Sequence, residues 1–243
     1  MDTPQFPMRI NKYLASKKYA TRRGADELIK QKLVRINGRL AELGDKVGEH
    51  DVVSVSEAAT KNKKYLYFAY FKPAGIVTHS PQKGEEDIAM QVPLKGVFPL
   101  GRLDKESYGL IILTNDGRIT ESLLNPQYGH EKEYAVRTSR KLRNSFKREM
   151  ETGVDIGEYI TKECKVYVTG DTAFRITIKE GKRHQIRRMC AALHVDVIDL
   201  ERIRIMNIKL GVLKPGEYRP IQGKELATFL SALGFRAAES SLS

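Results

Sequence analysis

Residues 98–117 read Phe98-Pro-Leu-Gly-Arg-Leu-Asp-Lys-Glu-Ser-Tyr-Gly-Leu-Ile-Ile-Leu-Thr-Asn-Asp-Gly117. Gly101-Arg102-Leu103-Asp104 packs a glycine, a cation and a carboxylate together, and a second glycine follows at 109. The apolar run Leu110–Leu113 has the length and β-branched content of a buried strand. Asn115-Asp116-Gly117 closes it with turn residues. Rigid scaffolds present reactive groups on such loops, and a carboxylate here is suited to that use. The plainer alternative is a surface turn capped by Asp104 and paired to Arg102. The remainder of the chain separates the two.

Upstream, Tyr65–Phe71 is an apolar, aromatic run that reads as a buried strand leaving through the tight turn Lys72-Pro73-Ala74-Gly75. Thr78–Asp87 reads as an exposed loop. Downstream, Asp116 can cap a short helix carrying Ile119, Leu123 and Leu124, and Glu131–Val136 turns to strand. Leu142, Phe146 and Met150 mark a helix face that Gly153 stops. Lys162–Val168 and Ala173–Ile178 pair around Gly170-Asp171. Lys179–Cys190 enters a helix with Ile186, Met189, Cys190 and Leu193 inward. Val195–Leu200 and Arg202–Ile205 read as strands, and Leu226, Phe229, Leu230 and Leu233 as a last helix stripe. Strands outnumber helices without alternating with them, which predicts an α+β fold with a mixed, largely antiparallel sheet.

Ahead of this lies a smaller, basic segment. Residues 8–56 hold eleven Lys and Arg against six Asp and Glu, a net of +5. From Met8 the pattern is helical, with Ile10, Tyr13 and Leu14 on one face and Arg9, Lys12 and Lys17 off it. Thr21 can cap a second helix with Ala25, Leu28 and Ile29 inward. Arg22 and Arg23 oppose that helix's dipole, so stability alone does not explain them. Val34–Ile36, Asn37-Gly38 and Val52–Val55 read as strand, turn and closing strand. Residues 57–64 read as a linker, 65–235 as the larger domain and 236–243 as a tail, with a frayed Pro-rich start.

The whole chain carries 42 Lys and Arg against 30 Asp and Glu, +12 at pH 7, which points to a polyanionic partner, nucleic acid before membrane. No apolar run nears the roughly 20 residues of a spanning helix, and residues 1–7 show no apolar signal region. Two cysteines, Cys164 and Cys190, make no disulfide framework and suit a reducing compartment, so a cytoplasmic protein is expected. A monomer is the expected state. His184, Cys190 and His194 invite a metal reading, but on one helix with no further cysteine pair they suit packing and turn hydrogen bonds.

Gly101-Arg102-Leu103-Asp104, extended through Ser107-x-Gly109-Leu110 and Leu113-Thr114-x-Asp116-Gly117, resembles the signature loop of the pseudouridine synthases. Lys72-Pro73-x-Gly75 resembles that family's domain opening, and Lys132-Glu133-Tyr134 its tyrosine strand. Glu180-Gly181-x-x-His184-Gln185-Ile186-Arg187-Arg188-Met189 resembles its arginine-bearing helix. The wording is similar to the bacterial RsuA/RluF type of ribosomal RNA synthases, favouring the RluF subgroup. Residues 8–56 resemble the alpha-L RNA-binding module, with Thr21 where a serine is usual. The resemblance implies an isomerase that needs neither cofactor nor metal. It implies Asp104 as the catalytic carboxylate, acting as nucleophile or as base on the ribose. Tyr134 would stack the flipped base, Arg187 would pair with Asp104, and Arg188 would face the RNA backbone. Arg102, Lys182, Arg183, Arg202 and Arg204, with Arg9, Lys12, Lys17, Arg22 and Arg23 in the module, would hold RNA. Large-subunit ribosomal RNA is the first expectation for substrate. A transfer RNA synthase and a non-catalytic RNA-binding or ribosome-assembly protein are the alternatives.

Overall fold

The computed structural model describes residues 6–56 and 64–235. Residues 57–63 of the expected linker, the expected tail 236–243 and residues 1–5 of the Pro-rich start lie outside the described residues. By packing, the chain divides into two compact units. One holds residues up to Tyr65 with the short segment Asp116–Glu121, and the other holds the remainder.

The first unit runs β1 (Met8–Arg9), α1 (Ile10–Ser16), α2 (Arg22–Lys30), β2 (Val34–Ile36), β3 (Arg39–Leu40), β4 (Lys46–Val47) and β5 (Val53–Val55). The Thr21 hydroxyl accepts from the Gly24 N–H at 2.9 Å, so it caps α2 as its position predicts. Ile10, Leu14, Ala25, Leu28, Ile29, Val34, Ile36 and Val47 form one core. Two details differ from the sequence reading. Met8–Arg9 is extended and pairs with β4, so the first helix starts only at Ile10. Asn37-Gly38, both at positive φ, turns β2 into β3, while β5 pairs on the other side of β2.

From Tyr67 the chain runs β6 (Tyr67–Lys72), α3 (Ile88–Gln91), β7 (Phe98–Leu100), β8 (Tyr108–Thr114), α4 (Ile119–Leu124, which straddles the division between the units), β9 (Lys132–Thr138), α5 (Phe146–Glu151), β10 (Lys165–Gly170), β11 (Ala173–Ile178), α6 (Gln185–Ala192), β12 (Val197–Ile205), β13 (Ile208–Lys209), β14 (Tyr218–Pro220) and α7 (Gly223–Ala232). The strands form one sheet in the order β10-β11-β9-β12-β8-β6-β14, with β13 on β12 and β7 on β8. Every pairing is antiparallel except β12 with β8, so the sheet is mixed and largely antiparallel, as expected. The two strands read at 195–200 and 202–205 are one, Val197–Ile205, with register shifts that let it run on. Ile186, Met189 and Cys190 of α6 and Phe146 and Met150 of α5 pack with Val136, Phe174, Ile176 and Leu200 into the larger core.

Candidate active site

Sheet register brings the separated motifs together. Tyr134 on β9 lies opposite Arg202 on β12, and Arg202 lies beside Gly109 on β8. The loop before β8 therefore opens next to the tyrosine. A cleft of about 740 Å³ is lined there by Arg102, Asp104, Tyr134, Lys182, Arg183 and His184, among others. Ile178, Ile186 and Leu200 supply apolar wall.

The Asp104 loop is anchored on both sides. The buried Thr78 hydroxyl accepts from the Leu103 N–H at 3.0 Å and donates to the Leu103 carbonyl at 2.8 Å. Its place in a polar stretch predicts an exposed residue, but Thr78 is 4% exposed because it is stitched to Leu103. The fully buried Lys72 ammonium donates to the carbonyls of Pro73, Lys105 and Ser107 at 2.9, 3.3 and 2.7 Å. The Gly75 N–H reaches the Lys105 carbonyl at 2.8 Å. Lys72-Pro73-x-Gly75 is thus a clamp under the loop.

Burial pushes the Lys72 ammonium down to about 8; Asp104 and Glu106 favour its charge, and Arg202 opposes it. Lys72→Met leaves three carbonyls without a buried donor. The expected loss is about 3 kcal/mol, a fall in Tm of roughly 6–12 °C for a chain this size. Below pH 8 the folded and unfolded chains both carry the Lys72 proton. Between about 8 and its ordinary 10.5 only the unfolded chain keeps it, and the cost of burying the charge fades. Wild type therefore gains stability over Lys72→Met as pH rises through that window, which urea denaturation at pH 7.5 and 9.5 reads directly. A gap that stays constant would count against a buried, titrating Lys72.

The opposite wall is a turn held by Glu180. This buried carboxylate accepts from the Tyr159 hydroxyl at 2.7 Å, the Lys162 N–H at 3.0 Å and the Gln185 amide at 2.6 Å. Gln185 in turn accepts from the Lys182 N–H at 2.9 Å. His184 follows in the left-handed region, φ 51°, just before α6. That conformation costs a non-glycine residue about 1–3 kcal/mol, and it presents the imidazole to Asp104. Nε2 lies 3.4 Å from Oδ1, an ion pair whenever the ring is protonated. The sequence reading assigned His184 to packing; its direct contact with Asp104 corrects that. The signal was its place in the motif, one step before the helix.

Other expectations need correction. Arg187 does not pair with Asp104. With Ile186 and Met189 in the core, α6 turns Arg187 toward β12, where Nη1 donates to the Val197 carbonyl at 3.0 Å. Arg188 pairs with Glu158 at 2.6 Å and also bonds the Ile156 carbonyl, so it is committed within the protein. Arg202 is 3% exposed and donates to the Leu110 and Arg102 carbonyls at 2.6 and 3.3 Å. It is a buried strut of the loop, out of reach of a phosphate. Arg204 is neutralised by Glu133 at 2.7 Å and Glu131 at 3.1 Å. Arg102, Lys182 and Arg183 remain exposed at the cleft.

In the first unit, Arg9, Lys12 and Arg22 line a cavity of about 550 Å³ together with Asn11 and Lys46. Lys17 sits over the Tyr13 ring at 5.8 Å, and Lys17 and Arg23 are exposed outside that cavity. Cys190 is core, and burial pushes its thiol up to about 12, so it stays protonated. Among the described residues no group of three or more His, Cys, Asp or Glu could hold a metal ion. No described helix is long and apolar enough to cross a membrane.

The profile of the RNA pseudouridylate synthases matches residues 66–192, spanning loop, tyrosine strand and α6. The chain belongs to the RNA pseudouridine synthase family. Residues 8–53 match the S4 domain. The dual-specificity RNA pseudouridine synthase RluF of Escherichia coli K12 is 40% identical over 92% of this chain and 78% of its own. The ribosomal large subunit pseudouridine synthase B of Bacillus subtilis is 31% identical over 90% of this chain and 93% of its own. A crystal structure of a pseudouridylate synthase superposes with a TM-score of 0.66 at 27% identity, covering 88% of this chain and 96% of that one. The synthase is an isomerase that converts uridine to pseudouridine in RNA.

Proposed function

We propose that the synthase modifies a uridine of large-subunit ribosomal RNA, with Asp104 as the catalytic carboxylate. The observation that carries the assignment of Asp104 is its position: a carboxylate on a doubly anchored loop, lining the same cleft as Tyr134. The reaction breaks the bond from N1 to C1′ of the ribose and forms one from C5 to C1′, and in sum the C5 proton moves to N1. A carboxylate at the sugar–base junction serves as nucleophile or as base on the ribose. A target base inside a helix must leave its stack, and Tyr134 offers the ring that receives it. His184 holds the Asp104 carboxylate from the opposite wall, the place expected for Arg187. Arg102, Lys182 and Arg183 at the cleft, and Arg9, Lys12, Lys17, Arg22 and Arg23 in the S4 domain, hold phosphates, which makes affinity fall steeply with salt.

The ribosomal target is supported by the large-subunit name of the Bacillus subtilis relative, and the dual-specificity name of the Escherichia coli relative makes transfer RNA the second candidate. Carbodiimide labelling and primer extension on ribosomal and transfer RNA transcripts incubated with the purified enzyme distinguish them. The expected result is a new stop at a uridine of the large-subunit transcript. A stop on transfer RNA alone would replace the substrate, and no stop on either would overturn the reading.

A further inference from the structure

We propose that Tyr128 and His130 form a stacking platform for the nucleotide that flanks the target uridine. This rests on the reading of the cleft as the uridine site and extends it by one base. Tyr128 is 56% exposed, and its ring stacks on that of His130 with centroids 6.1 Å apart and planes 23° from parallel. His130 beneath is half-buried, and the exposed Tyr128 ring offers aromatic surface that any base can cover.

The turn beneath is built for rigidity. Asn125 accepts from the Gln127 N–H at 2.9 Å, Pro126 opens the 3-10 turn Pro126–Tyr128, and Gly129 closes it in the left-handed region. Burial and Lys132 push His130 below the ordinary imidazole range, so its ring is neutral and adds no charge beside the lysines.

Two close approaches place the turn beside segments that lead into the cleft. A methyl group placed on Gly129 would lie 3.8 Å from the Lys179 side chain, two residues before the cleft residue Gly181. One placed on Gly101 would lie 3.0 Å from Leu124, so the segment leading into the platform packs against the start of the Asp104 loop. Charge points the same way. Lys179 is exposed beside the turn and Arg102 beside the loop. The nearby carboxylates Glu131 and Glu133 are matched by Arg204. A neutral aromatic surface beside exposed cations, on a turn next to the segments that lead into the uridine cleft, fits single-stranded RNA.

Photo-crosslinking with a short single-stranded oligouridylate carrying 5-iodouridine, followed by peptide mapping, is the test, with affinity of the same oligonucleotide read by fluorescence anisotropy. The expected result is crosslinking to both Tyr134 and Tyr128. Tyr128→Ala should weaken binding at least about fivefold, the smallest loss for one base stack. Tyr128→Phe keeps the ring and retains the affinity. Crosslinking to Tyr134 alone, with Tyr128→Ala within about twofold of wild type, overturns the platform and leaves the cleft reading intact. Crosslinking to neither tyrosine overturns both.

Discussion

Replacing Asp104 with Asn should abolish conversion of uridine to pseudouridine while leaving RNA affinity within a few-fold. Asn has the same shape and still fits the loop, whose anchors are Thr78 on Leu103 and Lys72 on Lys105 and Ser107. What it lacks is a carboxylate that can attack carbon or accept a proton, and losing the reacting group itself costs at least the roughly 10²–10⁴-fold of proton transfer by a positioned side chain. Stability should hardly move, because the Asp104 side chain is 39% exposed and its ion pair, at 3.4 Å, is with a histidine that is itself half exposed. Affinity is left to the cations around the cleft and in the S4 domain. Removing a negative charge that faces phosphates could only help them. Single-turnover conversion and filter binding on the same transcript separate the two quantities. Conversion by Asp104→Asn within tenfold of wild type would show that Asp104 is not the reacting group. A parallel collapse of binding would make it an RNA contact.

Much of this site could be read from the sequence because its chemistry is concentrated in short motifs. Gly101–Asp104 sits before an apolar run that can only be a buried strand, and Lys132-Glu133-Tyr134 sits in another. It is the resemblance of these motifs to the pseudouridine synthases, not their spacing alone, that implies a carboxylate and an aromatic ring in one place. The partners of the cations were not legible, because they depend on register and on which helix face is inward. Arg202 looked like a phosphate ligand by type. It is buried because β12 lies in the middle of the sheet, with its guanidinium on the Leu110 carbonyl 92 positions away. Arg204 is paired through β9, which places Glu133 beside it. Thr78 and Lys72 were hidden for a related reason. A threonine in a polar stretch reads as surface, a lysine before a proline reads only as part of a turn, and it is the return of residues 103–107 that covers both. In the first unit, the strand at Met8–Arg9 is two residues long and needs β4 as partner, which no local periodicity reveals.

Gly109→Ala should be among the most damaging single-methyl changes available in this chain. Gly109 has φ +104°, outside the reach of ordinary L residues, at the point where β8 runs parallel to β12. An added Cβ would lie 2.4 Å from the Arg202 carbonyl oxygen and 2.7 Å from its nitrogen, both backbone atoms that cannot swing aside. Strain in φ contributes about 1–3 kcal/mol, and opening the strand pair contributes more, so a total above about 4 kcal/mol is expected. Opening β8 from β12 would also pull Arg202 away from the Leu110 carbonyl and loosen the base of the Asp104 loop. Two other glycines separate the causes. Gly75 has φ +88° with nothing within 4 Å of an added Cβ, so Gly75→Ala carries strain alone, about 1–3 kcal/mol. Gly181 has neither a positive φ nor a neighbour within 4 Å, so Gly181→Ala should fall within about 0.5 kcal/mol of wild type. Urea denaturation of the three variants should rank Gly109→Ala well below Gly75→Ala, and Gly75→Ala below Gly181→Ala. If Gly109→Ala lost no more than Gly75→Ala, the close approach of β8 and β12 would not be what excludes a side chain at this position.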